Sequence, residues 1–210
     1  MKRILKNLLS KIIHRCRKHQ YKNITLTSTV RPNVKVYNSD NLVMGRNTNI
    51  DNGALIMNTR ARFVMKDNSG AAIGLTVVTG NHLSIKGKLF KMVTNKDKDI
   101  IDVNHELDKD VIVEEDVWIG SNVTLLSGTH INRGAIVGSG SIVRTSIPPY
   151  SIVIGNPAKV IGFRFTPEEI IEHEKLLYPE NQRLALTKLE RNYKKYYTDR
   201  LKEISKYIKI

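Results

Sequence analysis

The chain has 210 residues and a net charge of +14, and its length fits one domain with a full core rather than two domains. The charge is uneven, because residues 1–22 carry eight Lys or Arg and no acid while residues 23–163 are close to balance. This distribution argues against a nucleic-acid-binding protein, which would be basic throughout. The single cysteine, Cys16, excludes an internal disulfide framework and fits a reducing cytoplasm.

The first predicted element is a basic amphipathic helix over residues 1–22. Its apolar side chains recur at helical spacing, and its basic side chains fall largely elsewhere on the helical wheel. Such a helix either caps the body or a partner subunit, or lies in an anionic membrane interface through residues 1–20. The sequence shows no membrane-spanning run and no signal-peptide pattern, so we expect a cytoplasmic protein, at most peripheral at the inner face of the membrane.

A degraded six-residue pattern of aliphatic residues runs through residues 24–80, with Ile50 and Ile56 in register. It predicts the first coils of a repeat domain that extends over residues 24–165. From about residue 83 to residue 110 the pattern disappears into a charged stretch that is too long for a simple connector. We predict that this stretch is a loop extruded from the repeat.

Residues 113–147 repeat every six residues, a period that belongs neither to an ordinary strand nor to an α-helix. Hexapeptide repeats are typical of parallel β-helices, in which three hexads make one coil and residue i stacks on residue i+18 at about 4.8 Å. The predicted stacked pairs are Val113 with Ile131, Ile119 with Val137, and Leu125 with Val143. Glycines suit the tight corners of such a coil. They are Gly120, Gly128, Gly134, Gly138 and Gly140. The alternative fold is an antiparallel β-meander.

The repeat is expected to end at Pro148-Pro149, and the sequence GNPAK at 155–159 predicts a turn. Thr166 then N-caps a helix, because proline follows at the first helical position and acids fill the first turn. We therefore predict a helical C-terminal region over residues 166–210.

The sequences DVWIGSNVTLLSG at 116–128 and GAIVGSGSIVRTSIPPYSIVIGNPAKVI at 134–161 resemble the hexapeptide-repeat acyltransferases. The resemblance covers about residues 70–165 and is strongest to the branch of sugar and polysaccharide O-acetyltransferases and xenobiotic acetyltransferases. It implies an all-β fold, a left-handed parallel β-helix, although most parallel crossovers are right-handed. It also implies acetyl-CoA as acyl donor and a homotrimer with sites at subunit interfaces. No metal is required, and no zinc-binding pattern is present.

Members of that family place a histidine general base just before the extruded loop, and TGNHLSI at 79–85 puts His82 there. Imidazole can take a proton from a sugar hydroxyl and return it to a departing thiolate, so acetyl transfer is direct, without an acyl-enzyme. His105, in the loop, is the rival base. Cys16 is a conceivable nucleophile, but it lies away from every matched motif. The remaining histidines are expected at the surface: His14, His19, His130 and His173.

The resemblance places Trp118 and Ser121 beside the acetyl-pantetheine arm, with the Ser121 amide as a candidate donor to the thioester oxygen. Lys159 matches a basic position near the nucleotide phosphates, with Arg164 as a possible second cation. The corner residues one coil further on are Ser139, Arg144 and Thr145. The alternatives are structural: Trp118 would cover a coil corner, and Lys159 would be a solvated turn residue.

The leading functional prediction is an acetyl-CoA-dependent O-acetyltransferase that acts on a sugar hydroxyl of a cell-surface polysaccharide or its precursor. The first alternative is a xenobiotic O-acetyltransferase of the chloramphenicol or streptogramin type, because RFTPEEI at 164–170 resembles antibiotic-modifying relatives. The second alternative is a noncatalytic β-helix scaffold, against which His82 and the donor motifs argue.

Overall fold

Residues 21–207, which the computed structural model describes, wind into a three-sided parallel β-helix followed by short helices. The first face contains β1 (Thr29–Val30), β4 (Asn49–Ile50), β7 (Gly70–Ala71), β10 (Trp118–Ile119), β13 (Ile136–Val137), β15 (Ser151–Ile154) and β16 (Lys159–Phe163). The second contains β2 (Lys35–Val36), β5 (Leu55–Met57), β8 (Thr76–Val78), β11 (Thr124–Leu125) and β14 (Ile142–Val143). The third contains β3 (Leu42–Met44), β6 (Phe63–Met65), β9 (Val111–Val113) and β12 (His130–Ile131).

Strands of successive coils pair in parallel and in the predicted register. The confirmed pairs are Val113 with Ile131, Ile119 with Val137, and Leu125 with Val143. All six side chains are fully buried, and each contributes about 1.5–3 kcal/mol by leaving water. The antiparallel meander is therefore the wrong fold, because within residues 21–207 only β15 and β16 form an antiparallel strand pair.

The first coils are irregular because extra residues enter at the edge between the second and third faces. Ile50 stacks on Ala71 and Ile56 on Val77, which is 21 residues along the chain instead of 18. The insertion lies between β5 and β6, and it shifts Phe63 and Met65 out of the six-residue register. Both side chains are fully buried, so the sequence analysis missed a core strand here.

The longest insertion, residues 79–110, leaves the coil at the same edge, between β8 and β9. It contains a 3-10 turn at Phe90–Met92 and the helix α1 (Asn95–Ile101). Thr94 caps α1, because its side chain accepts from the Asp97 amide while the Asp97 carboxylate accepts from the Thr94 amide. The predicted extruded loop falls within this insertion.

The corner glycines serve two different needs. Three of them take the left-handed φ that favours glycine: Gly128, Gly134 and Gly140. Gly120 and Gly138 do not, and there the limit is space. A Cβ on Gly120 would lie 2.7 Å from the Ser139 amide nitrogen of the next coil. Left-handed corners are also made by asparagine and aspartate, as at Asn68 and Asp116.

The parallel stacking continues past Pro148-Pro149, because β15 pairs with β13. The predicted turn at 155–159 is confirmed as the connection to β16, which runs antiparallel to β15 with a bulge between Ile152 and Val153. The helices α2 (Pro167–Leu177), α3 (Leu186–Tyr196) and α4 (Leu201–Ile204) then follow. The prediction of a helical C-terminal region is confirmed.

Of the two described histidines that were expected at the surface, His173 is partly buried, whereas His130 has a side chain that is 40% exposed, as expected. His173 packs its ring against Tyr150 and Phe165, and its Nε2 is buried. His130 lies in strand β12, and its Nε2 is 2.8 Å from Oε1 of Glu114. Helical periodicity alone could not predict the burial of His173, because it does not show which side of α2 packs against the end of the β-helix.

The predicted helix over residues 1–22 lies outside the described residues, except for Tyr21 and Lys22, which are not helical. His14, Cys16 and His19 are outside them as well. Across residues 21–207, each helix is too short or too polar to cross a bilayer.

Replacing Thr166 with alanine should cost about 1 kcal/mol of unfolding free energy, because Thr166 is the confirmed N-cap of α2. Its hydroxyl accepts from the Glu169 amide at 3.3 Å. Urea denaturation would measure the loss. Thr187→Ala, at an exposed position inside α3, is the matched control and should be close to neutral. Equal effects of the two substitutions would contradict the assigned cap.

Candidate functional site

A cavity of about 400 Å³ opens beside His82, at the edge where the long insertion leaves the coil. Its volume suits a small-molecule site. Hydroxyl and amide side chains line one part of it: Thr59, Thr79, Asn81, Thr94 and Asn95. Aliphatic side chains line another part: Met57, Val78, Leu83 and Val93.

His82 is exposed at this cavity, and its ring lies 4.9 Å from the ring of Phe90, centroid to centroid, at an interplanar angle of 52°. No atom of residues 21–207 forms a hydrogen bond with the His82 imidazole. Its nitrogens are therefore available to a ligand, which a general base requires. The rival His105 sits in an exposed turn with φ of 54° and does not line the cavity.

The wall of the cavity contains a buried ion cluster that the sequence analysis missed. The Asp108 side chain is 4% exposed and accepts from Arg60 Nε at 2.8 Å and from Lys98 Nζ at 2.7 Å. Arg60 also donates to Asp99 at 2.6 Å. The pKa of Arg60 is raised above its usual value. The largest cause is the hydrogen bond to Asp99; burial acts in the opposite direction, and the hydrogen bond to Asp108 adds to the increase. The two cations are thus matched by two carboxylates.

The predicted donor-binding residues are distributed over several parts of one chain. Arg144 and Thr145 connect the second face to the third, at the same edge as His82 but further along the β-helix. Ser121 and Ser139 lie at the other edge of the second face, where the first face ends. These four residues therefore form no single cavity with His82 inside one copy of the chain.

Trp118 points outward from β10 on the first face and is 51% exposed. It packs over Gly70 of the preceding coil, where a side chain would touch the indole ring. With Asn49, Asp116 and Arg164 it lines a second cavity of about 340 Å³. Trp118 thus offers a large apolar surface on this face, away from His82.

The Ser121 amide donates to Ser139 Oγ at 3.1 Å. This N–H is the predicted donor to the thioester oxygen, and in the chain without ligand it is already engaged in the hydrogen bond to Ser139. The Ser139 side chain must rotate away before the Ser121 amide can serve a ligand. This hydrogen bond joins two adjacent coils, and the sequence of a single coil does not reveal it.

The two predicted phosphate-binding cations are engaged in ion pairs, while Arg144 is not. Lys159 Nζ lies 3.2 Å from Oε1 of Glu203, which also accepts from Arg200 at 3.1 Å. Arg164 donates to Asp116 at 2.7 Å and to the Gly134 carbonyl. Arg144 is exposed, and no carboxylate of residues 21–207 pairs with it.

The carboxyl of Glu203 should titrate near pH 2. Hydrogen bonds from Arg200, then Lys159, lower its pKa from 4.5 to about 2. Because the folded value is depressed, this carboxylate stabilises the attachment of α4 above pH 4.5, and the contribution is lost as the pH falls through about 2. An NMR titration of the Glu203 carboxyl carbon would measure this. Arg200→Met should raise the midpoint, and an unchanged midpoint would contradict the assignment.

Among residues 21–207, no three side chains of His, Cys, Asp or Glu lie close enough to one another to hold a metal ion.

Residues 110–145, which include β9 to β14, match the family described as bacterial transferase hexapeptide (six repeats). The strands on either side of this stretch stack on the same three faces, although their spacing along the chain departs from the six-residue period. Residues 110–145 of the chain are thus similar to this hexapeptide-repeat family.

Relatives of this hexapeptide-repeat protein match it over short stretches. A chloramphenicol acetyltransferase of Klebsiella aerogenes is 51% identical over 59 residues, 28% of each chain. A putative lipopolysaccharide biosynthesis O-acetyl transferase, WbbJ, of Escherichia coli K12 is 49% identical over 51 residues, 24% of this chain and 26% of the relative. The matches thus span only about a quarter of the length of these curated relatives.

The fold is shared over a much longer part of the chain. A hexapeptide-repeat acetyltransferase of Vibrio cholerae, solved with acetyl coenzyme A, aligns with a TM-score of 0.60 at 21% identity. The alignment covers 73% of this chain and 77% of that one. At this identity the likeness concerns the fold. Together with the family match, it implies the left-handed parallel β-helix that the sequence resemblance predicts.

Proposed function

We propose that this hexapeptide-repeat protein is an acetyl-CoA-dependent O-acetyltransferase that modifies a sugar hydroxyl of a cell-surface polysaccharide or its precursor. The observation that carries the proposal is the free imidazole of His82 beside a polar cavity of about 400 Å³. The similarity to an O-acetyl transferase of lipopolysaccharide biosynthesis supports it, as does the shared fold with an acetyltransferase solved with acetyl coenzyme A.

In the proposed reaction, His82 accepts the proton of the acceptor hydroxyl while the hydroxyl oxygen attacks the acetyl carbonyl carbon. The carbon–sulfur bond breaks, and His82 returns the proton to the departing thiolate. General acid–base catalysis of this kind contributes about 10²–10⁴-fold to a rate. The Phe90 ring lies beside the imidazole in a tilted arrangement.

The cavity favours an uncharged acceptor. Its cations, Arg60 and Lys98, are already paired with Asp99 and Asp108, so no cation of the lining is free for a carboxylate. Burying an unpaired charge is costly, whereas the exposed side chains of Thr59, Asn81 and Asn95 in the lining can hydrogen-bond to a polyol. A neutral sugar residue meets both conditions.

The residues present fit acetyl-CoA as donor. Its binding site would be formed jointly by two copies of the chain, because the residues concerned lie at different edges of one copy. Arg144 is an exposed cation suited to a phosphate, and Trp118 offers an exposed apolar surface for the pantetheine arm. Because Ser121 and Ser139 lie at the edge opposite His82, we propose a homotrimer with each site between two subunits. Light scattering should give three times the chain mass, and an active monomer would contradict the shared site.

The second candidate is a xenobiotic O-acetyltransferase, favoured by the 51% identity to a chloramphenicol acetyltransferase. The aliphatic side chains of the lining, among them Val78 and Leu83, suit part of such a molecule. Fold and general base would be the same, and only the acceptor would differ.

Thiol release from acetyl-CoA, measured with a panel of neutral sugars, uronic acids and chloramphenicol, tests these proposals. We expect turnover with neutral sugars and slower turnover with the matched uronic acids. Turnover with chloramphenicol alone would favour the second candidate. A protein that neither binds acetyl-CoA in calorimetry nor releases thiol would be a scaffold.

A further inference from the structure

The structure assigns Asp108 as a positioning residue that holds the His82 segment closed against the β-helix. The inference rests on the proposed role of His82 as general base. It concerns the stem of the long insertion, where the chain leaves the coil at Thr79 and returns at Lys109.

The two ends of the insertion are paired directly beneath His82. The Asn81 amide donates to the Leu107 carbonyl at 2.8 Å, and the Lys109 amide donates to the Thr79 carbonyl at 3.0 Å. Between these bonds, Asp108 forms an antiparallel bridge with Gly80. A Cβ on Gly80 would lie 2.5 Å from Asp108 Oδ1, so the glycine leaves room for the carboxylate.

The Asp108 carboxylate joins three separate parts of the chain. Its Oδ2 accepts from Arg60, in the corner insertion that precedes β6, and its Oδ1 accepts from Lys98, on α1. The third part is the stem that contains Asp108 itself. The Lys98 side chain is only 11% exposed, so removal of the Asp108 charge would leave it in a poorly solvated place without a counterion.

Asp108 acts on His82 through position and not by contact, because both carboxylate oxygens are occupied by cations. The side chain of Lys98 ties α1 to the stem, and α1 follows directly after the turn that carries Phe90. Loss of the carboxylate would therefore let α1 and Phe90 move away from the His82 ring.

The test uses Asp108→Asn in the full chain, with Asp110→Asn as matched control. Asp110 lies two residues away and pairs with Arg62, but this pair is more exposed and does not line the cavity. The readout is the Hε1 resonance of His82 in protein labelled with ¹³C-histidine, assigned with His82→Ala. Because the Phe90 ring lies beside His82, its ring current displaces this resonance, and Phe90→Leu gives the undisplaced position.

We expect Asp108→Asn to move the His82 resonance toward the Phe90→Leu position, while Asp110→Asn leaves it in place. A folded Asp108→Asn protein with an unchanged His82 resonance would overturn the inference. If this variant does not fold, Lys98→Met takes its place with the same expected displacement, and an unchanged resonance there would also overturn it.

Where acetyl transfer is measurable, kcat of Asp108→Asn should fall by about 10²-fold with little change in KM for acetyl-CoA, because a misplaced base mainly affects the chemical step. The resonance needs no acceptor. It therefore still tests the role of Asp108 if no sugar proves to be a substrate and the proposed function fails.

Discussion

Replacing His82 with alanine is expected to lower kcat/KM for acetyl transfer by about 10²–10⁴-fold, because a sugar hydroxyl then has no base to take its proton. His82 is exposed at the polar cavity, and no atom of the described chain occupies its nitrogens. The measurement is thiol release at saturating acetyl-CoA with an acceptor found in the panel. The KM for acetyl-CoA should change little, since His82 is not among the residues proposed to hold acetyl-CoA.

His105→Ala is the matched control for this prediction. His105 lies in the same insertion but in an exposed turn outside the cavity lining, so its removal should leave turnover close to that of the unmodified protein. Full activity of His82→Ala together with a large loss in His105→Ala would exchange the two assignments and refute the mechanism.

Glu174→Ala is expected to cost about 3–5 kcal/mol of unfolding free energy, because it removes one partner from a buried charge network. The Glu174 side chain is fully buried. Its carboxylate accepts from Tyr150 at 3.1 Å, from Arg133 at 3.2 Å and from the Leu184 amide at 2.5 Å. Burial, followed by the charge of Glu174, raises the pKa of Tyr150, which keeps its hydroxyl a donor.

Urea denaturation of the assembled protein would measure this loss. Glu172→Ala is the control, because Glu172 lies on the same helix but is exposed, and its removal should change the unfolding free energy by less than about 0.5 kcal/mol. A loss for Glu174→Ala as small as that of the control would show that Arg133 finds enough compensation in Glu115 and the Gln182 carbonyl.

The regular coils were predictable because one geometric rule, a return to the core every six residues, is visible in the sequence. That rule places Ile119, Val137 and their stacked neighbours correctly. It fails at Phe63 and Met65, since three added residues at a corner shift the register while the side chains still fill the core. A search for a six-residue period depends on the spacing of residues along the chain. Residues inserted at a corner change that spacing, although the strands still stack in the same fold.

The candidate site was predictable only in part. The resemblance points to His82, which lies at a cavity in the structure. The ion cluster around Asp108 left no sequence signal, because Arg60 is 48 residues away and neither residue belongs to a motif. The engagement of the Ser121 amide by Ser139 is equally invisible, because it depends on a contact between adjacent coils.

The antiparallel strand β16 has a consequence for assembly. A parallel β-helix that ended on a regular coil would expose unpaired N–H and C=O groups, on which another copy could add its own strands and grow a fibre. Here the last strand of the first face runs backwards, with a bulge, and α3 packs against it through Tyr193 and Phe163. The reversal leaves no parallel edge on the first face at this end, so another copy cannot continue the parallel stacking of that face there.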